Sequence, residues 1–278
     1  MRIWAISDLH LANFTIGQPP SPSAFPVADV CVVAGDVSDD LEKSVAWLAE
    51  NFAVAMPVIY VAGNHDFYDY PLPARSRLRE RFRAYEPLVY VLDREIVEIG
   101  GTRFAGTTFW SDLDLYAFGD LEKLSLTQEA VQANVADCAW IQLEEVRKPR
   151  LITAADIISL HKRDREWLAG VLSTPFPGPT VVVTHHAPHH NSIAPQYAGL
   201  LDTASYASDQ TALIEAYKPD MWIHGHTHLS CSYQVGSTRI LSNQLGRDGE
   251  ESGFKLHQVV TLRGSPALLP ERGLAHQN

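Results

Sequence analysis

The stretch DVCVVAGD, Asp29 to Asp36, decides how this chain folds. Five apolar residues in an unbroken run suit a strand buried on both faces. The Gly35-Asp36 pair marks the point where the chain leaves the core. The same construction recurs along the sequence. RIWAIS, Arg2 to Ser7, runs into Asp8-Leu9-His10, and PVIYVA, Pro57 to Ala62, runs into Gly63-Asn64-His65-Asp66. Later, TVVVT, Thr180 to Thr184, ends in His185-His186, and PDMWIH, Pro219 to His224, ends in Gly225-His226-Thr227-His228.

The segments between these runs have a helical or turn character. Asp39 and Glu42 have capping-box spacing, and Leu41, Val45, Leu48 and Phe52 then recur at helical period. The first 66 residues therefore read β-loop-β-α-β, the rhythm of a layered α/β domain, with the Pro-rich segment Leu11 to Pro26 as the loop. A helix carrying Leu78, Phe82 and Tyr85 is expected after Pro71 and Pro73. Another opens at Thr153 and Asp156, a third spans Ala207 to Tyr217, and CSYQV with TRILSN forms a hairpin. Ser111 to Arg150 is mixed, acidic and only weakly periodic, and reads as an insertion over one face. The chain shows no repeats and no low-complexity linker, so residues 1–278 are expected to form one domain with an insertion at 111–150.

Composition narrows the function classes. The 278 residues are 46% hydrophobic, enough for a sizeable core. No run approaches the roughly 18 apolar residues of a membrane span, and MRIWAISDLH lacks the apolar core of a signal peptide. Cys31, Cys138 and Cys231 are scattered without CxxC spacing, which fits reduced thiols in the cytoplasm. The net charge of −11 argues against a stable nucleic-acid complex or a membrane surface as partner.

Histidine is concentrated at the strand ends. Of twelve histidines, His185, His186, His189 and His190 form one cluster and His224, His226 and His228 another. Ligands of open α/β sheets collect at the carboxyl ends of strands. Five such tips would bring together two carboxylates, one amide oxygen and at least four imidazoles. Asp8 and His10, like His226 and His228, stand two apart, which on extended backbone points both side chains the same way. Gly35, Gly63 and Gly225 precede the polar residues where a tight turn or close backbone approach is needed. The mixed oxygen and nitrogen donors suit divalent Mn, Fe, Zn or Co, and seven donors are too many for one ion and about right for two.

The series D-x-H, G-D, G-N-H-D, H and G-H-x-H, in this order from Asp8 to His228, resembles the calcineurin-like metallophosphoesterases. The resemblance implies an αββα fold, two β-sheets packed as a sandwich and flanked by helices, with a dinuclear metal site. Carried over block by block, it implies Asp8, His10 and His228 on one divalent metal ion, Asn64, His185 and His226 on the other, and Asp36 bridging them. It further implies that a hydroxide bound between the metals attacks phosphorus, that His65 faces the phosphate, and that Asp66 orients His65. His185, at the strand end, is favoured over His186 as the ligand.

Other residues read as structural. His189 and His190 suit a solvated loop, with substrate contact the alternative, and His224 suits a packed core position. Cys31 is small-hydrophobe filler. Arg75, Arg77, Arg79, Arg81 and Arg83 suit the solvated face of an amphipathic helix, with recruitment of an anion the alternative. Phe109, Trp110, Tyr116 and Phe118 more readily pack the insertion than stack on a substrate. The polar loop SNQLGRDG, Ser242 to Gly249, has no assignment from sequence.

The expected function is hydrolysis of a small phosphodiester or phosphomonoester. The alternative is a binding scaffold on the same fold, which is disfavoured because no motif block is missing. SDLHL resembles the opening of the UDP-diacylglucosamine hydrolases, but those carry Arg where this chain has His65. The family's DNA nucleases bring a basic groove and its protein phosphatases an Arg beside the G-D and G-N-H blocks, and neither feature is present.

Overall fold

The computed structural model describes residues 1–11, 24–73, 78–144 and 148–262. Strands β1 (Arg2–Ile6), β2 (Val30–Ala34), β3 (Val58–Val61) and β4 (Val89–Val91) lie side by side in parallel. Next come β5 (Glu95–Ile99) and β6 (Thr102–Thr107), and then the small pair β7 (Gln142–Leu143) and β8 (Arg150–Leu151). Beyond them are β9 (Thr180–Thr184), β10 (Met221–His224), β11 (Cys231–Val235), β12 (Thr238–Ser242) and β13 (Val259–Thr261). The first sheet has the order β13-β1-β2-β3-β4 and the second β11-β12-β10-β9-β6-β5. Each is parallel at its centre and carries antiparallel strands only at its edges.

The two sheets bury their facing sides against each other. Ile3, Ala5, Val30, Val32, Ile59 and Val61 of the first sheet pack with Phe104, Val181, Val183, Met221, Ile223 and Leu241 of the second. The alternate residues of β1, Trp4 and Ile6, point to the opposite side, under helix α1 (Leu41–Asn51) and α2 (Leu78–Phe82). Burial on both faces is why these strands read as unbroken apolar runs. The insertion supplies α3 (Leu121–Asn134) and α4 (Asp137–Trp140), while α5 (Ala154–Ser173) and α6 (Thr211–Tyr217) cover the outer side of the second sheet through Leu168, Leu172, Leu213 and Ile214. The result is the two-sheet, helix-flanked architecture expected from the sequence.

Thr153 and Asp156 form the expected capping box at α5. Two boundaries and one strand differ from expectation. The cap of α1 is Asp40, which accepts from the Lys43 N–H, rather than Asp39. Helix α6 begins at Thr211 rather than Ala207, because Ala207 bridges to Ala187 and the N–H groups of Ser208 and Gln210 donate to Ala187 and Pro188. Strand β13 carries no periodic signal long enough to mark it in the sequence. Of the aromatic residues near the insertion, Phe109 and Trp110 are core, packed on Trp222 and on Phe67 and His186, whereas Phe118 is 83% exposed. Arg79 and Arg81 pair with Glu86 and Glu42 on the surface, and Arg75 and Arg77 lie outside the described residues. Among the described residues no helix is long and apolar enough to cross a membrane.

Candidate metal centre

The carboxyl ends of β1, β2, β3, β9 and β10 converge where the two sheets meet. Backbone hydrogen bonds tie them: the Asp8 N–H donates to the Gly35 carbonyl, His10 to Asp36 and Gly225 to His185, at 2.9–3.1 Å. Two donor clusters result. Asp8, His10 and His228 bring one ligating atom each within 4.8 Å of one another, so do Asp36, His185 and His226, and a third grouping of His10, Asp36 and His65 overlaps both. Asn64 joins the second cluster, its Oδ1 2.9 Å from His185 Nε2. Asp36 stands between the two, with Oδ2 3.7 Å from His10 Nε2 and Oδ1 3.4 Å from His185 Nε2. All seven residues picked out in the sequence are therefore assembled in one place.

The backbone reaches this arrangement in an unexpected way. Asp8, His10, Asp36, His226 and His228 all have positive φ, between 44° and 72°. The paired residues are not on extended chain; each pair repeats the left-handed conformation on either side of one residue. For a side chain with a Cβ that conformation costs on the order of 1 kcal/mol, and the surrounding hydrogen bonds must enforce it. The glycines serve a different need. A Cβ on Gly63 would lie 2.1 Å from Asp36 Oδ1, and one on Gly225 2.7 Å from Asp8 Oδ2, so both are sites of close backbone approach.

The donor chemistry fits divalent cations. Burial drives His10 down to about 3 and His226 well below its ordinary value, leaving neutral rings, the form that ligates. His10 Nε2 faces His228 Nε2 at 2.9 Å, while the buried His10 Nδ1 has no hydrogen-bond partner among the described residues. Two ring nitrogens and the Asp8 carboxylate this close together form a donor set suited to a divalent cation. Burial opposes ionisation of Asp36, but His185 and His65 hold it well below the usual carboxylate range. His185 is the reciprocal case: burial lowers it, yet Asp36 outweighs burial and carries it to about 9. His186 turns away, its Nδ1 3.3 Å from the Thr108 carbonyl, and it belongs to neither cluster.

The calcineurin-like phosphoesterase family model matches residues 1–230. The chain belongs to that family. Its reaction class is therefore hydrolysis of phosphate esters, in a family that binds divalent metals. This phosphoesterase is 22% identical over 243 residues to an uncharacterized protein of Acanthamoeba polyphaga mimivirus, covering 82% of each chain. Its fold resembles the phosphopantetheinyl hydrolase of Mycobacterium tuberculosis, with a TM-score of 0.58 at 19% identity over 90% of this chain and 93% of that one.

Around the clusters the phosphoesterase places residues the sequence motifs assign differently. His65 lies beside His10, with ring centroids 4.7 Å apart, but its Nδ1 meets Asp39 Oδ1 at 3.1 Å. Asp66 does not face His65. It projects from the other side of the 3₁₀ turn His65–Phe67, where successive residues diverge by a third of a turn. There its carboxylate accepts from the N–H groups of Asp36, Val37, Ser38 and Gly63 and from the Ser44 hydroxyl, binding the second and third strand tips together. The orienting role expected of Asp66 is thus geometrically open to Asp39. Asn64 is held by Asp137, at the start of α4, through a 2.8 Å bond from Nδ2. His224 is a core residue, bonded to the Ser192 hydroxyl and the Gly225 carbonyl. His189 is buried rather than solvated, its Nδ1 accepting from the Asn191 N–H, and His190 is exposed.

The loop after β12 is the part of the site that sequence motifs missed. Gln244 Oε1 accepts from the His228 N–H, and Glu250 Oε2 meets His228 Nδ1 at 2.5 Å. Arg247 Nη2 lies 2.9 Å from His65 Nε2. Burial pulls the His65 pKa down, but the Asp36 charge and the hydrogen bond to Asp39 outweigh it and raise it. A protonated ring cannot accept from Arg247, so the two states exclude one another. A cleft of about 680 Å³ opens over the clusters, with Val135, Ala136 and Asp137 of the insertion on one side and Tyr197 and Tyr206 on another.

Proposed function

We propose that this phosphoesterase hydrolyses a small phosphodiester or phosphomonoester at a site for two divalent metal ions. The supporting observation is the Asp36 carboxylate, which presents one oxygen to the Asp8, His10 and His228 side and the other to the Asn64, His185 and His226 side. The chemistry supplied at such a paired site is Lewis acidity toward a phosphoryl oxygen and a water made nucleophilic near neutral pH. The chain's own residues do the remainder. Asp8, Asp36, Asn64 and the four imidazoles hold fixed donors in a buried setting. His65 turns Nε2 away from Asp39 toward the cleft, placed to hydrogen-bond or protonate a leaving oxygen. The insertion closes one side of the cleft and limits water and substrate size. A net charge of −11 disfavours polyanionic partners such as nucleic acid or a membrane surface, and three free cysteines suit the cytoplasm.

The test is turnover of bis(p-nitrophenyl) phosphate and p-nitrophenyl phosphate by Mn-loaded protein, with and without chelator. Chelator-sensitive hydrolysis of either supports the proposal, and the ratio assigns diester or monoester preference. Absence of both, with two ions bound per chain, sinks it and favours a binding scaffold.

A further inference from the structure

Arg247 is the only Lys or Arg among the described residues lining the cleft, and it has no ion-pair partner among them. Its guanidinium donates to His65 Nε2, an uncharged acceptor. Glu250, on its own loop, is committed elsewhere: its Oε2 takes the His228 ring and the Arg247 backbone N–H. The loop itself is fixed. The Leu245 and Gly246 N–H groups donate to the carbonyls of Ser7 and Asp8, and the Glu250 N–H closes a turn on the Arg247 carbonyl. A guanidinium with no ion-pair partner among the described residues, exposed to the cleft and mounted on an anchored turn beside the donor clusters, is suited to receive an anion. A planar fork of N–H donors matches two oxygens of one phosphoryl group.

We propose that Arg247 binds a non-bridging oxygen pair of the substrate's phosphoryl group, leaving His65 Nε2 as it does so. This deepens the proposed function and rests on it for the identity of the substrate. In the free protein Arg247 occupies His65, and in the complex it transfers to the phosphate and frees Nε2 for the leaving oxygen. The same loop then performs two tasks, with Glu250 holding His228 and Arg247 holding the anion.

The test is calorimetric binding of inorganic phosphate to Mn-loaded wild type, Arg247→Gln and Arg247→Lys. Loss of a charge-assisted bond to phosphate is expected to weaken binding roughly tenfold to a hundredfold in Arg247→Gln, with Mn content unchanged and partial recovery in Arg247→Lys. In steady-state assays KM rises by a similar factor while kcat changes less. Phosphate affinity within twofold of wild type in Arg247→Gln overturns the proposal, as does no phosphate binding by wild type. Binding that depends on Arg247 in a protein that hydrolyses neither ester leaves this proposal standing and removes the proposed function instead.

Discussion

The close approach at Gly63 makes the centre sensitive to one methyl group. In Gly63→Ala the new Cβ would stand 2.1 Å from Asp36 Oδ1, 2.6 Å from the Asp36 nitrogen and 2.7 Å from His185 Cε1, where ordinary contact begins at 3.4 Å. Asp36 must retreat by about 1.3 Å, the difference between those distances. It cannot do so freely, because its Oδ1 accepts from the His65 N–H and its own N–H donates to Asp66. A misplacement on the order of 1 Å costs about 100-fold in rate, or roughly 2.7 kcal/mol of transition-state stabilisation. Overpacking adds a loss of about 1–3 kcal/mol in stability. Gly170→Ala, in the last turn of α5 with nothing within 4 Å of its Cβ, is the matched control. It should gain about 0.5–1 kcal/mol and keep full activity. The readouts are kcat/KM, metal content by mass spectrometry and urea unfolding. Wild-type metal content and kcat/KM in Gly63→Ala would refute the reasoning.

Other outcomes follow from the same geometry. His65→Ala should lower kcat by about 10²–10⁴-fold without loss of bound metal, and Asp39→Asn should lower it by a smaller factor; loss of metal in His65→Ala would make His65 a ligand instead. Because Asp36 raises His185 to about 9 in the metal-free protein, metal must displace a proton at pH 7. Apparent metal affinity should therefore rise by about tenfold per pH unit toward pH 9 and level off above it. Calorimetry in buffers of different ionisation enthalpy should detect that released proton, and a zero count would contradict the assignment. Asp137→Ala frees the Asn64 amide from its 2.8 Å bond and should weaken metal affinity about 10–100-fold; unchanged affinity would show that the insertion only frames the cleft.

The strands and their tips were legible because burial on both faces writes itself as an apolar run, and the run's polar end names the site. That signal carried Asp8, Asp36, Asn64 and the histidines. It failed where chemistry is shared by neighbours. Asp39 and Asp40 are both competent caps, and only the fold shows that Asp40 takes the helix and leaves Asp39 for His65. Asp66 adjoins His65 in sequence, but the 3₁₀ turn sends it the other way. Arg247 and Glu250 sit in a loop without periodicity, and their relevance depends on β12 returning beside β10, a pairing the linear sequence does not display.

Five residues of the centre hold left-handed backbone without being glycine. Where the side chain makes no buried bond to the backbone, as at His228, Gly or Asn would tolerate that conformation more cheaply, whereas at Asp8 and Asp36 the carboxylates also accept the His226 and His65 N–H groups and their loss would cost stability. In a lineage whose copy has stopped working as an enzyme, drift should reach glycine first at the position of His228, while Asp8 and Asp36, which hold backbone N–H groups, and the strand interiors stay unchanged. A descendant with glycine there and an intact core has become a scaffold, and His228→Gly in this chain should reproduce the step: a more stable fold that no longer retains its metal.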